Sequence, residues 1–286
     1  MKLNTLVGGV IMVASLFACE VIDDLQDSVE DIQNMDKAAD AIVDFGLASK
    51  EFAQVKLTGA SYVAQAETEI RFGQGTTKST DAIITIVPYD QSFPKTVTID
   101  FGDGVRGIDG VLRSGKMQII LENGWGTHEG DKQNISLVNY YQETSKVEGT
   151  YKSERKADVM GAPVFEVSLD NGKVTKSSGE VITYTQNTTH TKVEGDSTPL
   201  IYEDDAHEIV GTQSGISSKG YSYIFKADAD APLYHSANCR YIRSGELDIE
   251  VEGIELLLDY GEMHENCEDD SSATLIYKSI EKEITL

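Results

Sequence analysis

The chain is poor in proline, cysteine and basic residues, and each shortage argues against certain classes of protein or partner. Its 286 residues include only 5 prolines, and 40% are hydrophobic, which argues against a disordered chain and favours a globular core. Lysine and arginine total 24 against 48 acidic residues, for a net charge of −24. Binding to nucleic acid or to anionic lipid requires clustered basic residues, so this composition argues against both partners. We expect the acidity mainly to keep the surface solvated.

Long hydrophobic runs are also lacking, because none approaches the ~20 residues of a membrane-spanning helix. A run of apolar or small residues from Leu6 to Ala18 follows Lys2 and ends before Cys19. This order predicts a signal peptide over residues 1–18. The end of the run, Leu16-Phe17-Ala18-Cys19, resembles the lipobox of bacterial lipoproteins. The resemblance implies cleavage before Cys19, lipid on Cys19 and anchoring to a membrane; the alternative is an ordinary secretory signal followed by a chance cysteine.

Residues 19–58 show a helical period. Apolar residues recur every three or four positions among acidic ones, which predicts one or two helices with an acidic outer face, interrupted near Gly46. We interpret residues 19–58 as an acidic helical tether. The acidic start, Glu20 to Asp24, also resembles a signal that sends lipoproteins to the outer face of the outer membrane. A cell outer membrane location, facing the periplasm or the surface, is therefore expected, and a plain acidic tether is the alternative.

From residue 80 to residue 286 the pattern changes to alternation between apolar and polar residues, broken by Gly and Asn turns. Such short segments predict antiparallel strands, and the absence of alternating helices disfavours a parallel sheet. The fold class is therefore mainly β, an antiparallel meander or sandwich-like sheet after a short N-terminal helical segment. The predicted strands lie at 84–86, 97–101, 117–121, 135–138, 164–169, 181–185, 221–225, 247–251, 255–258, 273–277 and 280–286.

Three predicted strands are preceded by a Ser-Gly pair, at Gly115, Gly179 and Gly245. The spacing of about 65 residues suggests a diverged repeat. The first and third copies share Arg-Ser-Gly and a nearby Asp-aromatic-Gly, at Asp100 and Asp259. The alternative is that Ser-Gly is simply common in turns before strands.

Several segments carry a family resemblance: residues 94–104 (PKTVTIDFGDG), Asp109-Gly110, residues 113–116 (RSGK), residues 146–150 (KVEGT) and the stretch from Cys239 to Leu286. Together they resemble a family of uncharacterised lipoproteins of Gram-negative gut bacteria. The resemblance implies a β-rich body and carries no established activity. It also implies two further cysteines, near positions where this chain has Phe93 and Val105.

Cysteine is scarce, with three residues in all. If Cys19 carries lipid, Cys239 and Cys267 remain, in a compartment that permits oxidation. Their disulfide would close a loop of about 28 residues, worth ~3 kcal/mol in the chain-entropy model. The alternative is a zinc site in which His235 and His264 join the two cysteines, and the two interpretations exclude each other.

Two acidic groups have the composition of calcium loops, since calcium prefers six to eight oxygen ligands. One comprises Asp100, Asp103 and Asp109, and the other comprises Glu262, Glu265, Glu268, Asp269 and Asp270. Plain turns capped by Asp are the alternative. We predict no other cofactor and no confident metal site.

The sequence offers no catalytic signature, since it has neither a nucleophile elbow nor a phosphate-binding loop, and its five histidines define no triad. Trp125, in an Asn-Gly-Trp-Gly turn, is a candidate ligand-binding aromatic, as are Tyr140, Tyr141, Tyr221 and Tyr223. We expect a lipid-anchored envelope lipoprotein with a non-catalytic role, in binding a glycan or an envelope protein or in structural support. The alternative is a carbohydrate-active or other hydrolase with paired carboxylates.

Overall fold

The computed structural model describes residues 14–72, 82–107, 109–195, 197–198, 204–239, 241–264, 266–267 and 271–285, with side chains from Glu30 onward. Residues 1–13 of the predicted signal peptide lie outside the described residues. The backbone of Cys19 belongs to a helix, but its side chain is outside the description. Lipid attachment at Cys19 therefore stays a prediction.

One long helix precedes fifteen strands. The helix is α1 (Ala14–Phe72). The strands are β1 (Ile83–Val87), β2 (Lys95–Asp100), β3 (Val105–Arg106), β4 (Leu112–Leu121), β5 (Lys132–Gln142), β6 (Ser145–Val159), β7 (Ala162–Thr175), β8 (Val181–Glu194), β9 (Ala206–Ile216), β10 (Ser222–Ala227), β11 (Leu233–Ser236), β12 (Glu246–Val251), β13 (Ile254–Asp259), β14 (Ser272–Tyr277) and β15 (Ile280–Thr285).

All the strands belong to one antiparallel sheet. Its path follows the chain, β1-β2-β4-β5-β6-β7-β8-β9-β10-β12-β13-β14-β15, while β3 pairs with β4 and β11 pairs with β9. The mainly β class and the meander are thus confirmed. A sandwich is not confirmed, because the described strands form one sheet, whose buried residues make a core with those of the helix.

Helix α1 is continuous through Gly46 and extends to Phe72. It becomes buried at Met35, and from Asp44 to Ile70 none of its residues is exposed. A helical segment in which no residue is exposed lies in the interior of the protein. Beyond Met35, the segment interpreted as a tether is therefore part of the core of the β domain. Within the described ranges, no helix combines the length and apolar character needed to cross a membrane.

Contacts between aromatic rings join α1 to the middle of the sheet. The Phe45 ring centroid lies 4.2 Å from that of Phe225, edge to face, and Phe52 stacks on Tyr184 at 5.5 Å. Nearer the end of the helix, Tyr62 meets Phe101 at 5.9 Å. Through these contacts α1 covers the inner face of the sheet, which in a sandwich would be covered by a second sheet.

The acidic face of α1 meets lysines of the hairpins. Four aspartates in the first half of the described helix form these ion pairs, with N–O distances of 2.5 to 2.8 Å: Asp31 with Lys278, Asp36 with Lys282, Asp40 with Lys219 and Asp44 with Lys176. Only the Asp44 pair is substantially buried, and Asp44 also accepts a 2.6 Å hydrogen bond from the backbone N–H of Ser218. The exposed pairs set the position of the helix more than they add stability.

The three Ser-Gly pairs occupy different places. Gly115 lies in a bulge inside β4, Gly179 lies in the turn before β8, and Gly245 directly precedes β12. All three have positive φ. In the first copy the Asp-aromatic-Gly segment comes before Arg-Ser-Gly, and in the third it comes after. This difference in order gives the repeat of about 65 residues no support, and the repeat stays a prediction.

The Ser-Gly pairs provide a matched test of packing. A Cβ atom added at Gly115 would overlap the carbonyl oxygen of Asn139, whereas one added at Gly179 would meet nothing within 4 Å. We expect Gly179→Ala to cost only the strain of positive φ, ~1 kcal/mol. Gly115→Ala adds overpacking and should cost about 2 to 3 kcal/mol. Urea unfolding measures both; equal losses would refute the close approach of Gly115 to Asn139.

Candidate functional site

A group of ionisable side chains gathers on the inner face of β8, β9 and β11. In the sheet register Lys192 lies opposite His207, and His207 lies opposite His235. His190 is two residues before Lys192, so it projects from the same face of β8. Lys56 reaches the group from α1, and we call these five residues the histidine cluster. Lys56 lies 134 positions before His190 in the chain, so only the packing of α1 on the sheet brings it to the other four.

The contacts in the cluster are close. The Nζ atom of Lys56 lies 3.3 Å from Nδ1 of His190, and the rings of His190 and His207 are 6.0 Å apart. An ammonium group only donates, so Nδ1 accepts and the ring proton sits on Nε2. That Nε2 lies 2.9 Å from Oγ1 of Thr188. At the edge of the cluster Lys192 pairs with Asp205 at 2.8 Å, with both side chains at most 10% exposed.

Burial controls the protonation of the histidine cluster. Desolvation lowers the pKa of His190 and His207 far below the usual range and that of His235 to about 4, and the charge of Lys56 lowers all three further. Burial also lowers the pKa of Lys56 to about 8, against the opposing pull of Asp205. At neutral pH three neutral imidazoles therefore lie around the ammonium group of Lys56.

This charge arrangement opposes acid–base catalysis. Thr188 and His190 have the spacing of a nucleophile and its base, and a catalytic triad would place a carboxylate at the other ring nitrogen. Here that position holds Lys56, which disfavours protonation of the ring. His190 is thus a hydrogen-bond acceptor between helix and sheet and is poorly suited to take a proton from a substrate.

The cluster should make the protein sensitive to acid. A histidine whose folded-state pKa lies below its unfolded value of ~6.5 favours folding above that pH, and the advantage is lost as the pH falls towards the folded pKa. The raised pKa values of Glu51, Glu67 and Asp205 act in the opposite direction. We expect His207→Gln to reduce the slope of unfolding free energy between pH 6.5 and pH 5 by up to about 1.4 kcal/mol per pH unit.

The control is His128→Gln, since the His128 side chain is 81% exposed. Urea unfolding at several pH values gives the slopes, which are compared instead of absolute stabilities because Gln also changes the packing. A slope for His207→Gln equal to that of the wild type would contradict the low pKa of His207.

Cys239 and Cys267 form a disulfide with a Cα–Cα distance of 5.3 Å. Sulfurs joined in this way are not free to ligate zinc, so the disulfide interpretation prevails over the zinc site with His235 and His264. His235 instead belongs to the histidine cluster. Among the described residues, no group of three or more His, Cys, Asp or Glu side chains has the geometry of a metal site.

Two of the three calcium candidates already have protein partners. Asp100 pairs with Lys116 at 2.7 Å and accepts a hydrogen bond from the backbone N–H of Gly102. Asp109 accepts two hydrogen bonds from the guanidinium group of Arg113, at 2.9 and 2.6 Å. These bonds lower the pKa of both carboxyls. Calcium at Asp100, Asp103 and Asp109 stays a prediction. Of the second acidic group, Glu265, Glu268, Asp269 and Asp270 lie outside the described residues.

Trp125 lies between β4 and β5 but is only 5% exposed. Its ring meets Phe93 edge to face at 5.4 Å, and Nζ of the fully buried Lys95 sits 5.7 Å from it. The ring closes the core around Lys95 and leaves little surface for a ligand, and ligand binding at Trp125 stays a prediction. Tyr140 and Tyr223 are buried as well, whereas Tyr141 is 39% exposed.

The two positions at which the family resemblance implies cysteines are filled by apolar contacts. Phe93 and Val105 both pack against the core, and Phe93 also lies 5.5 Å from the ammonium group of Lys95. Burial of these apolar side chains stabilises the fold at the two positions where a disulfide would otherwise do so.

An open groove of about 420 Å³ lies beside the cluster, at the end of the β6–β7 hairpin. Arg155 links the two regions: it lines the groove and lies 5.3 Å from the ring of Phe165, which is 6.5 Å from His207. The groove has mixed charge, since Lys156 bridges Glu154 and Glu166 there. This lining gives no preference for one charge of ligand.

Comparison of the chain with protein-family models, with curated proteins and with solved structures finds no match of any of the three kinds.

Proposed function

We propose that this chain is a lipid-anchored lipoprotein of the cell outer membrane with a non-catalytic role, in binding an envelope component or in structural support. Under this proposal Cys19 carries the lipid and α1 is a rigid stalk that holds the sheet away from the membrane. The resemblance to uncharacterised lipoproteins of Gram-negative gut bacteria is consistent with it and remains a prediction.

The observation that carries the proposal is the course of α1. The helix includes Cys19 and runs without a break to Asp31, whose carboxylate pairs with Lys278 of the β domain, and on to Met35, which is buried in the core. At 1.5 Å per residue, this places Cys19 ~18 Å along the helix from the first described contact with the β domain. Residues 20–36 contain acidic side chains and no Lys or Arg, so this segment has no attraction for anionic headgroups. Such a helix therefore favours an orientation that points away from the membrane surface.

The non-catalytic role is supported by the partners of the buried carboxyl groups. A hydrolase with paired carboxylates would keep an acid of raised pKa facing a cleft. The pKa of Glu51, Glu67 and Asp205 is raised by burial, but their partners are Gln142, Arg71 and Lys192 respectively. The contacts of Glu51 and Asp205 join different elements of the fold, and the contact of Glu67 lies within α1.

Replacement of Cys19 tests the anchor. We expect the full-length wild-type chain, produced in a Gram-negative host, to enter the detergent phase in phase partitioning and to yield an N-terminal peptide with an acylated cysteine. Cys19→Ser should move the chain to the aqueous phase, because the acyl chains supply the membrane affinity. Ser28→Ala, farther along the stalk, should behave as the wild type. A wild-type chain in the aqueous phase, or an unlipidated Cys19, would refute the proposal.

A further inference from the structure

Part of α1 is left uncovered by the sheet on its apolar side. Ile32 is 56% exposed and Val43 is 53% exposed, whereas no residue of the helix is exposed from Asp44 to Ile70. The two residues are eleven positions apart, so they project from nearly the same side of the helix. An apolar strip of this kind on a helix is a surface for another helix.

The sequence continues this strip towards Cys19 with a heptad period. Counting Ile22 as position a, the apolar residues Ile22 and Val29 occupy a, and Leu25 and Ile32 occupy d. Residues 22–35 thus make two heptads, which we call the stalk seam. Branched residues at a with Leu at the first d position favour a two-stranded parallel coiled coil. The seam ends at Asp36, an a position whose carboxylate pairs with Lys282.

The charges of the stalk are placed so that two copies can approach. All five acidic residues of the seam, Asp23, Asp24, Asp27, Glu30 and Asp31, fall at positions b, c and f, which face away from a partner. The flanking e and g positions hold Gln26, Ser28, Gln33 and Met35, none of them charged. A helix from a chain of net charge −24 can therefore meet its own copy without contact between like charges along the seam.

We propose that two copies of this chain pair through the stalk seam as a parallel coiled coil on the membrane. The inference rests on the proposed lipid anchor at Cys19, which starts both helices at the same surface, in the same direction and in register. Two heptads are short for pairing in free solution. Anchoring supplies what they lack, because two tethered copies meet at a high effective concentration.

Cysteine cross-linking in the full-length anchored protein tests the seam. With Cys19 acylated and Cys239 bonded to Cys267, an introduced cysteine is the only free thiol. Ile32→Cys sits at position d, and Glu30→Cys, also exposed, sits at position b. Under mild oxidation we expect several-fold more disulfide-linked dimer from Ile32→Cys than from Glu30→Cys. Equal yields from the two variants, whether high or low, would overturn the proposal.

A second pair of variants shows whether the apolar contact is the cause. In the Ile32→Cys background, Leu25→Asp should remove the cross-linked dimer, whereas Asp27→Asn, at position f, should leave it in place. Loss of the dimer in both or in neither would also overturn the seam. Failure of the anchor is recognised separately, since an unlipidated Cys19 would place the wild-type chain in the aqueous phase.

Discussion

Phe52→Ala is expected to lower the free energy of unfolding by about 3 to 5 kcal/mol, the usual cost of emptying a buried aromatic site. Phe52 is 2% exposed and stacks on Tyr184, which is itself 1% exposed. Because it lies in the fully enclosed part of α1, the cavity cannot fill with water at low cost. Urea unfolding followed by circular dichroism measures the loss.

The same helix provides the control. Phe72 is 66% exposed at the end of α1, so Phe72→Ala removes an identical side chain with little burial and should change the stability by less than about 0.5 kcal/mol. Comparable losses for the two variants would show that α1 does not fill the interior of the sheet, and the fold described above would fail.

Lys192→Met is expected to be the most damaging change in the histidine cluster, with a loss of about 3 kcal/mol at neutral pH. It leaves the carboxylate of Asp205 buried without its ion-pair partner, and an isolated buried charge is costly. The double variant Lys192→Met with Asp205→Leu should recover much of the loss, because it removes both charges. The exposed pair of Lys226 and Asp228 is the control, and Lys226→Met should leave the stability unchanged.

The loss from Lys192→Met should depend on pH in a definite direction. Burial raises the pKa of Asp205, and Lys192 opposes that shift, so the variant raises it further. A carboxyl with a raised folded-state pKa favours folding at low pH and loses this advantage as the pH rises through that pKa. The deficit relative to the wild type should therefore be larger at pH 8 than at pH 5. A deficit that grows in acid would contradict the burial of the Asp205 charge.

Strand prediction succeeded where the inward positions are apolar. In β2, β12 and β14 the buried residues alternate with polar ones, and the sequence places all three strands correctly. It missed β6 and β9 altogether, since their inward positions include Arg155, His207 and Gln213. A strand that buries polar residues loses the alternation by which strands are recognised.

The histidine cluster was missed for the same reason. His207 lies on the unpredicted β9 and His235 on the unpredicted β11, so the register that aligns them was not visible. The residue type does not indicate burial either, because histidine is intermediate between the buried and the exposed residue types. The only signal was the density of polar residues between 186 and 213, which by itself predicts a loop.

The sequence by itself determined the antiparallel meander and the helical period that precedes it, because both depend on local period alone, and it left Cys239 and Cys267 between a disulfide and a zinc site. Only the tertiary structure decided that α1 runs inside the sheet, that Trp125 is enclosed and that Lys56 faces three histidines. These features join segments that are distant in the chain. They depend on which face of each strand turns inward, and a register shift of one residue would reverse that face.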